Sequence, residues 1–300
     1  MRIRTASIVG VLAVAGAFAL AGCTDSSAPG GGGDEPSSAP TMAQVPYEDG
    51  TTMAELAEAG EITIGTKFDQ PLFGLDGPNG PEGFDVEIGK LIAAQLGIDE
   101  DGINWVNTVS ANREPFIQAG TVDIVIATYT INDARKQVVS FAGPYYIAGQ
   151  DILVAAGNPE GIDGPEWFTD NPDATICTQN GSTSIQNIGE YTSNILASDS
   201  YAACLEPIRN GQAVALTTDN VILSGLAYQN EGEFELLQKP FTEEPYGIGL
   251  ALEDDDFRFW IDDVLEEAFT SGAWAQAWED TVGAVLEVPD ETPTVDRYER

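Results

Sequence analysis

Three regimes of hydrophobicity follow one another along this chain. Ile8 to Ala21 is almost wholly apolar, broken only by Gly10 and Gly16. Thr24 to Ala43 holds almost no large apolar residue. From about Tyr47 the apolar positions recur with the periods of strands and helices. Glu61 to Thr66 alternates like a half-buried strand, and a Gly- and Pro-rich loop runs from Asp69 to Gly83. Ile88, Leu91, Ile92 and Leu96 fall at spacings of three and four. They predict a helix over Phe84 to Leu96, ended by Gly97. A strand over Asn104 to Val109 and a short helix over Glu114 to Ala119 come next. Val122 to Ala127 reads as a strand buried on both faces, as in a parallel sheet. Asn132 or Thr130 can then cap a helix reaching Val139.

The second half repeats this pattern in kind. Asp151–Ala156, Ala174–Thr178 and Ala213–Thr217 read as strands. Helices open at Gly181-Ser182-Thr183-Ser184 and at Val221, the latter running to Tyr228. Phe257–Phe269 and Ala273–Val282 are helical, and the polar stretch from Pro289 is expected to fray. Strands alternating with helices imply parallel α/β units. About 255 residues follow the polar stretch, enough for one large domain or two medium ones.

The first two regimes have their own reading. Arg2 and Arg4 precede the apolar run, and small residues, Ala21-Gly22, end it. A charged start, an apolar middle and small residues before a cut describe a secretory signal. The run falls short of the ~20 residues that span a bilayer. Cys23, directly after Leu20-Ala21-Gly22, resembles the bacterial lipobox, in which the thiol takes a diacylglyceryl group and residues 1–22 are removed. The alternative is an ordinary signal peptide with an incidental cysteine. Residues 23–46 read as a flexible tether, since they cannot bury enough surface to offset ordering entropy. Gly30 to Gly33 precede no strand and open no helix, so they are no phosphate loop.

Charge narrows the function. Asp and Glu number 49 against 12 Lys and Arg, a net charge of −37 that repels nucleic-acid phosphates. Histidine is absent, which excludes histidine triads and histidine-ligated zinc. With Cys23 assigned to lipid, Cys177 and Cys204 remain. Outside the cytoplasm they suggest a disulfide, the alternative being two buried thiols.

Few residues stand where chemistry is expected. Thr128 to Arg135 follows the buried strand and enters a helix, the place where open α/β sheets bind ligands. Arg135 offers a fork suited to a carboxylate, or is a surface arginine paired with an acid. Gly181-Ser182-Thr183 is an anion cradle or a plain cap, and Asn180-Gly181-Ser182, a glycosylation sequon, reads as a turn. Asp219 follows a strand and faces a crevice, where it suits an ammonium group, or it caps the next helix. Arg113 and Lys67 are ligand contacts or solvated charges, and Phe68 and Phe73 pack on a ligand or fill core.

Gly83-Phe84-Asp85-Val86-Glu87-Ile88 resembles the signature of the family 3 solute-binding proteins, extracellular receptors of polar amino-acid ATP-binding cassette transporters. Arg113 to Asp123, Thr128 to Arg135, Ser140-Phe141-Ala142-Gly143-Pro144-Tyr145, Gly181-Ser182-Thr183 and Thr218-Asp219 follow in the family's order, so that the resemblance spans roughly residues 50–285. It implies an α/β fold of two lobes, of the type II periplasmic-binding-protein class, with a two-segment hinge near Tyr145–Ile147 and Lys239–Tyr246. Lobe 1 is expected over 47–145 and 242–288, lobe 2 over 146–241, and a tail over 289–300. By similarity Arg135 grips the ligand α-carboxylate with help from Thr130, and Ser182 and Thr183 meet the same group from the other lobe. Asp219 and the Thr128 carbonyl hold the α-ammonium. Phe73 is expected to line the site. Arg113, 22 positions before Arg135, stands where relatives that bind glutamate or aspartate reach the ligand side chain, with Lys67 assisting. Thr66 to Pro71 also resembles actinobacterial glutamate receptors. Two departures touch the pocket: Tyr129 is bulkier than the residue usual between the two threonines, and Asp133-Ala134 replaces proline-glutamate before Arg135.

The resemblance therefore implies a lipid-anchored receptor on the extracellular face of the cytoplasmic membrane, binding glutamate or aspartate for a permease. The chain is expected to be monomeric and to use no cofactor and no metal. Glutamine or another polar amino acid is the alternative ligand, a signalling receptor is a further one, and some proteins of this fold are dehydratases or peptidoglycan lyases.

Overall fold

The computed structural model describes residues 40–299; the expected signal segment, Cys23 and most of the expected tether lie outside the described residues. In chain order the first elements are α1 (Thr52–Ala59), β1 (Ile62–Thr66), a small meander of β2 (Asp69–Gln70), β3 (Gly74–Gly77) and β4 (Gly80–Glu82), and α2 (Phe84–Gln95). Then come β5 (Ile103–Asn107), α3 (Arg113–Gln118), β6 (Ile124–Val125), α4 (Asp133–Lys136) and β7 (Ser140–Ala148). The middle of the chain forms β8 (Gln150–Ala155), α5 (Glu166–Asp170), β9 (Ile176–Gln179), α6 (Thr183–Ile188) and β10 (Ile195–Ser198). It continues with α7 (Leu205–Arg209), β11 (Ala215–Asp219), α8 (Asn220–Gln229) and β12 (Phe234–Leu236). The chain then returns through β13 (Glu244–Leu250) to α9 (Asp255–Ser271) and α10 (Ala273–Thr281).

Two five-stranded sheets result, ordered β5-β1-β6-β13-β7 and β10-β9-β11-β8-β12. Each combines three parallel strands with an antiparallel pair. The fold is thus the two-lobed α/β architecture that the family resemblance implied, with an antiparallel pair added to the parallel units read from the alternation. The chain leaves the first sheet after Ala148 and re-enters it at Glu244, and these two residues are paired across β7 and β13.

The strand expected over Val122–Ala127 keeps only Ile124 and Val125 in a regular ladder. Ile124 to Ala127 are nonetheless fully buried, and the amides of Asp123 and Ile126 still donate to the β1 carbonyls of Thr63 and Gly65. Regularity ends because Thr128 turns to φ 44°, outside the strand region. Helix α4 also stops short of Val139, since the amides of Val138 and Val139 both close on the Arg135 carbonyl and β7 starts at Ser140.

An aromatic cluster packs the crossing strands. Tyr146 stacks on Trp278 at 4.8 Å between centroids, and the Trp274 indole donates to the Tyr145 carbonyl at 2.8 Å. Phe73 sits in the same cluster, ringed by Phe84, Tyr146, Tyr246 and Trp278 at 5.8–6.2 Å. Of its two expected roles, the structure gives it the core one.

The C-terminal segment is docked rather than frayed. The Asp296 amide donates to the Gly143 carbonyl at 2.7 Å, and the Tyr298 hydroxyl accepts from the Phe141 amide at 3.0 Å. Both contacts fall on β7, the edge strand of its sheet, whose unpaired groups the segment covers. The Tyr298 ring lies between Lys136 and Arg258, at 4.0 and 4.4 Å. Composition hid this docking, because its partners are cations and backbone groups distant in sequence.

Cys177 and Cys204 form a disulfide with an S–S distance of 2.03 Å and a sequence separation of 27. A loop of that size contributes about 3 kcal/mol on the chain-entropy model. Cys204→Ser is therefore expected to lower unfolding free energy by roughly that amount in urea titrations, and reductant to do the same to the wild type.

Candidate functional site

The site is assembled where strands end and loops from the two sheets meet. Lys67 follows β1, Arg113 opens α3, Thr128 and Thr130 follow β6, and Arg135 lies in α4. From the second sheet, Gln179 ends β9, Ser182 and Thr183 open α6, and Asp219 ends β11. The two sides are closed on one another. Lys67 Nζ and Ser110 Oγ both donate to Gln179 Oε1, at 3.2 and 3.0 Å. Arg113 Nη2 and Arg135 Nη2 both donate to the Gly181 carbonyl, at 3.3 and 3.2 Å, and Thr130 Oγ1 faces Thr183 Oγ1 at 3.4 Å.

Three cations are buried together here. Lys67 is fully buried, and Arg113 and Arg135 are 2% and 7% exposed. Tyr129 supports the arginine pair: the guanidinium carbons stand 4.2 and 4.9 Å from the centroid of its ring, so both cations lie against one aromatic side chain. The ring itself packs on Phe141 at 4.7 Å. The bulky residue between the threonines is thus a floor for the arginines. Burial, then Arg113, pulls the Lys67 ammonium down to about 7, against the pull of Asp69 and Asp85. Burial and Arg113 likewise lower Arg135 to about 10.

The two arginines differ in what they have left to offer. A guanidinium carries five N–H donors. Arg113 donates Nε to the Ser110 carbonyl, Nη1 to those of Ala127 and Thr128, and Nη2 to that of Gly181. Arg135 donates Nε to Glu114 Oε1 at 3.2 Å, Nη1 to the Thr130 carbonyl at 2.6 Å and Nη2 to that of Gly181. Among the described residues these bonds leave one N–H on each terminal nitrogen of Arg135 unused, so the guanidinium has donors to offer a carboxylate. The expected pairing of Arg135 with an acid exists too, through Glu114, but inside the site rather than on the surface.

Asp219 supplies the opposite charge. It precedes α8 directly, yet its side chain makes no capping bond. Oδ2 accepts from the Tyr246 hydroxyl at 2.6 Å, and Oδ1 is buried with no partner among the described residues. Burial, then Glu244, pushes Asp219 up to about 7, while the Tyr246 bond and the charges of Arg113 and Arg135 draw it down. A buried acceptor left unmade is costly, and a cationic donor would satisfy it.

Thr128 is held in an unusual conformation. A φ of 44° is rare for a β-branched residue and persists only under restraint. Asp85 Oδ2 accepts its amide at 2.9 Å, and its hydroxyl donates to Gln70 Oε1 at 3.0 Å. Asp85 is anchored in turn by the Tyr145 hydroxyl at 2.6 Å. The Thr128 carbonyl accepts from Arg113 Nη1, a partner the sequence did not suggest. Ser182 fits its capping role: its hydroxyl donates to the Gln179 carbonyl at 2.7 Å and accepts from the Ile185 amide at 3.1 Å. The Thr183 hydroxyl donates to Glu244 Oε2 at 2.8 Å, and Asn132, not Thr130, caps α4.

Gln70, Asp85, Ser110, Gln179, Glu244 and Tyr246 belong to the site without having been singled out. Gln179 carried a signal, its place at the end of a strand two residues before Gly181. Glu244 and Tyr246 lay in the segment read only as a hinge. Among the described residues no group of three or more His, Cys, Asp or Glu side chains is gathered as a metal site requires.

The geometry can be set beside known proteins. The model of the bacterial extracellular solute-binding proteins, family 3, matches residues 62–282. The chain belongs to that family. It is 35% identical over 257 residues to the glutamate-binding protein GluB of Corynebacterium efficiens, covering 81% of this chain and 86% of that protein. The glutamine-binding protein of Geobacillus stearothermophilus is 34% identical over 257 residues, covering 84% and 93%. Among solved structures, an ancestral arginine-binding protein bound to glutamine superimposes with a TM-score of 0.68 at 30% identity, covering 75% of this chain and 98% of that one. Among the described residues of this chain, no helix is long and apolar enough to cross a membrane.

Because the folded protein holds the Asp219 proton more tightly than the unfolded chain does, Asp219 favours folding below about 4 and loses that contribution as pH rises through about 7. Asp219→Asn is therefore expected to raise the ligand-free Tm at pH 8 by several degrees, with the gain vanishing near pH 4. Differential scanning calorimetry at the two pH values checks this.

Proposed function

We propose that this family 3 solute-binding protein is a receptor for a polar amino acid, with L-glutamate its preferred ligand, and that it delivers the ligand to an ATP-binding cassette permease. The observation that carries this reading is the complementarity of Arg135 and Asp219. Two free N–H groups on the one suit an α-carboxylate, and the free Oδ1 of the other suits an α-ammonium. Both groups are buried, so their attraction for a zwitterion is little screened. Binding makes and breaks no covalent bond. The reading extends to an anchor: Cys23, lipidated, would tether the chain to the outer face of the cytoplasmic membrane.

Glutamate is favoured over neutral amino acids by the cations beyond those needed for the amino-acid backbone. Lys67 has three donors, two of them given to Ser110 and Gln179, and Arg113 lies beside it. The likeness to the GluB protein supports the same ligand. A second reading, glutamine, is favoured by Gln70, whose buried Nε2 has no partner among the described residues and suits a carboxamide oxygen. The likeness to the Geobacillus protein supports that one.

Lys67→Met separates them. It removes a charge while leaving the backbone carbonyls that Arg113 ties together untouched. Calorimetric titration is expected to show glutamate binding weakened at least tenfold, about 1.4 kcal/mol, and glutamine binding changed less than threefold. Equal losses for the two, or tighter wild-type binding of glutamine, would reject glutamate as the preferred ligand.

A further inference from the structure

We infer that Gly225, which contacts none of the ligand-facing groups, sets how closely the two halves of the site approach and thereby its affinity. The inference rests on the receptor reading above. Helix α8 starts immediately after Asp219 and belongs to the half of the molecule built on the second sheet. Six residues past Asp219, Gly225 packs on Pro71, which follows β2 in the other half. Pro71 is in turn the neighbour of Gln70, the residue that holds the Thr128 hydroxyl. One short path thus links the ammonium-facing carboxylate to the carbonyl-rich turn across the seam.

The approach is too close for any side chain. A Cβ on Gly225 would overlap the Pro71 carbonyl oxygen and stand 3.1 Å from the carbonyl carbon and 3.3 Å from the Pro71 Cβ. The obstacle is backbone, so no rotamer change relieves it. General crowding does not account for it either. Next to the contact the seam widens into a cavity of about 330 Å³ lined by Pro71, Leu72 and Asp280 on one side and Tyr228 and Gln229 on the other. Gly225 is therefore a point at which the halves touch, and a methyl group there acts as a wedge. A second such point lies at Gly181, where a Cβ would meet the Ala111 Cα at 2.7 Å. Gly181 also has a φ of 73° and a carbonyl that serves both arginines, so it is a poorer probe.

Gly225 lies in a regular helix, and alanine is the better helix former. The same methyl thus favours the half that carries it and opposes only the joined state. A ligand that binds the joined state loses affinity in proportion to the lost population of that state.

The test is Gly225→Ala, with Ser224→Ala on the same helix as control. Each of the twenty amino acids is titrated calorimetrically, and dissociation rates are measured by stopped-flow. For Gly225→Ala the expected result is affinity for the bound amino acid at least tenfold weaker, carried by faster dissociation, with a ligand-free Tm equal to or above wild type. Ser224→Ala should bind within twofold of wild type. Binding by Gly225→Ala within twofold of wild type would overturn the inference. So would a ligand-free Tm that falls as far as the liganded one, which marks simple misfolding. A wild type that binds an amino acid other than glutamate refutes the ligand assignment alone, and the closure comparison is then read with that amino acid. A wild type that binds none overturns both.

Discussion

Two guanidinium groups lying on one tyrosine ring, with a third cation beside them, form the constraint around which the site is organised. Like charges brought out of water together repel and are poorly solvated, so burial and Arg113 draw the pKa of Lys67 down to about 7 and that of Arg135 to about 10. The fold compensates with the face of Tyr129, with five backbone carbonyls and with Glu114. One of those carbonyls, that of Gly181, comes from the opposite half and bridges both arginines. The halves are thus joined in part by the need of two cations for acceptors. A bound carboxylate answers the same need with a full negative charge, which is how a ligand can stabilise the joined state.

The opposite charge is handled by two similar devices. Tyr145 on β7 donates to Asp85, and Tyr246 on β13 donates to Asp219, and the two rings lie 6.1 Å apart. Each crossing strand therefore carries a tyrosine that fixes one buried carboxylate. Asp85 spends its carboxylate on the Thr128 turn and the hydroxyl, while Asp219 keeps one oxygen unused. Both carboxyls are pushed up to about 7, mainly by burial. The two differ in remaining valence rather than in protonation: Asp85 is satisfied within the protein, and Asp219 has an acceptor to spare.

Much of this was legible in the sequence. The alternation of strands and helices foretold α/β units, though not the antiparallel pair in each sheet, and it was the family resemblance that implied a shared site for Lys67, Thr130, Arg135 and Asp219. The choice between capping and ligand contact was not legible, because both need the same residue at the same place. The Ser182 hydroxyl is used by its own turn, whereas the Asp219 side chain makes no capping bond and keeps Oδ1 without a partner among the described residues. Glu244 and Tyr246 were missed because they act from a strand some 25 residues beyond Asp219, with no local pattern to mark them. The tail was misjudged for a related reason, since Tyr298 and Asp296 dock on β7 through contacts that only the tertiary fold brings together.

A crystal structure of the protein grown with L-glutamate tests the central claim most directly. The account predicts the α-carboxylate side-on to both terminal nitrogens of Arg135, the ammonium on Asp219 Oδ1, and the side-chain carboxylate against Lys67 and Arg113. Glutamate bound away from Arg135 and Asp219, or with its ammonium directed into solvent, would contradict it.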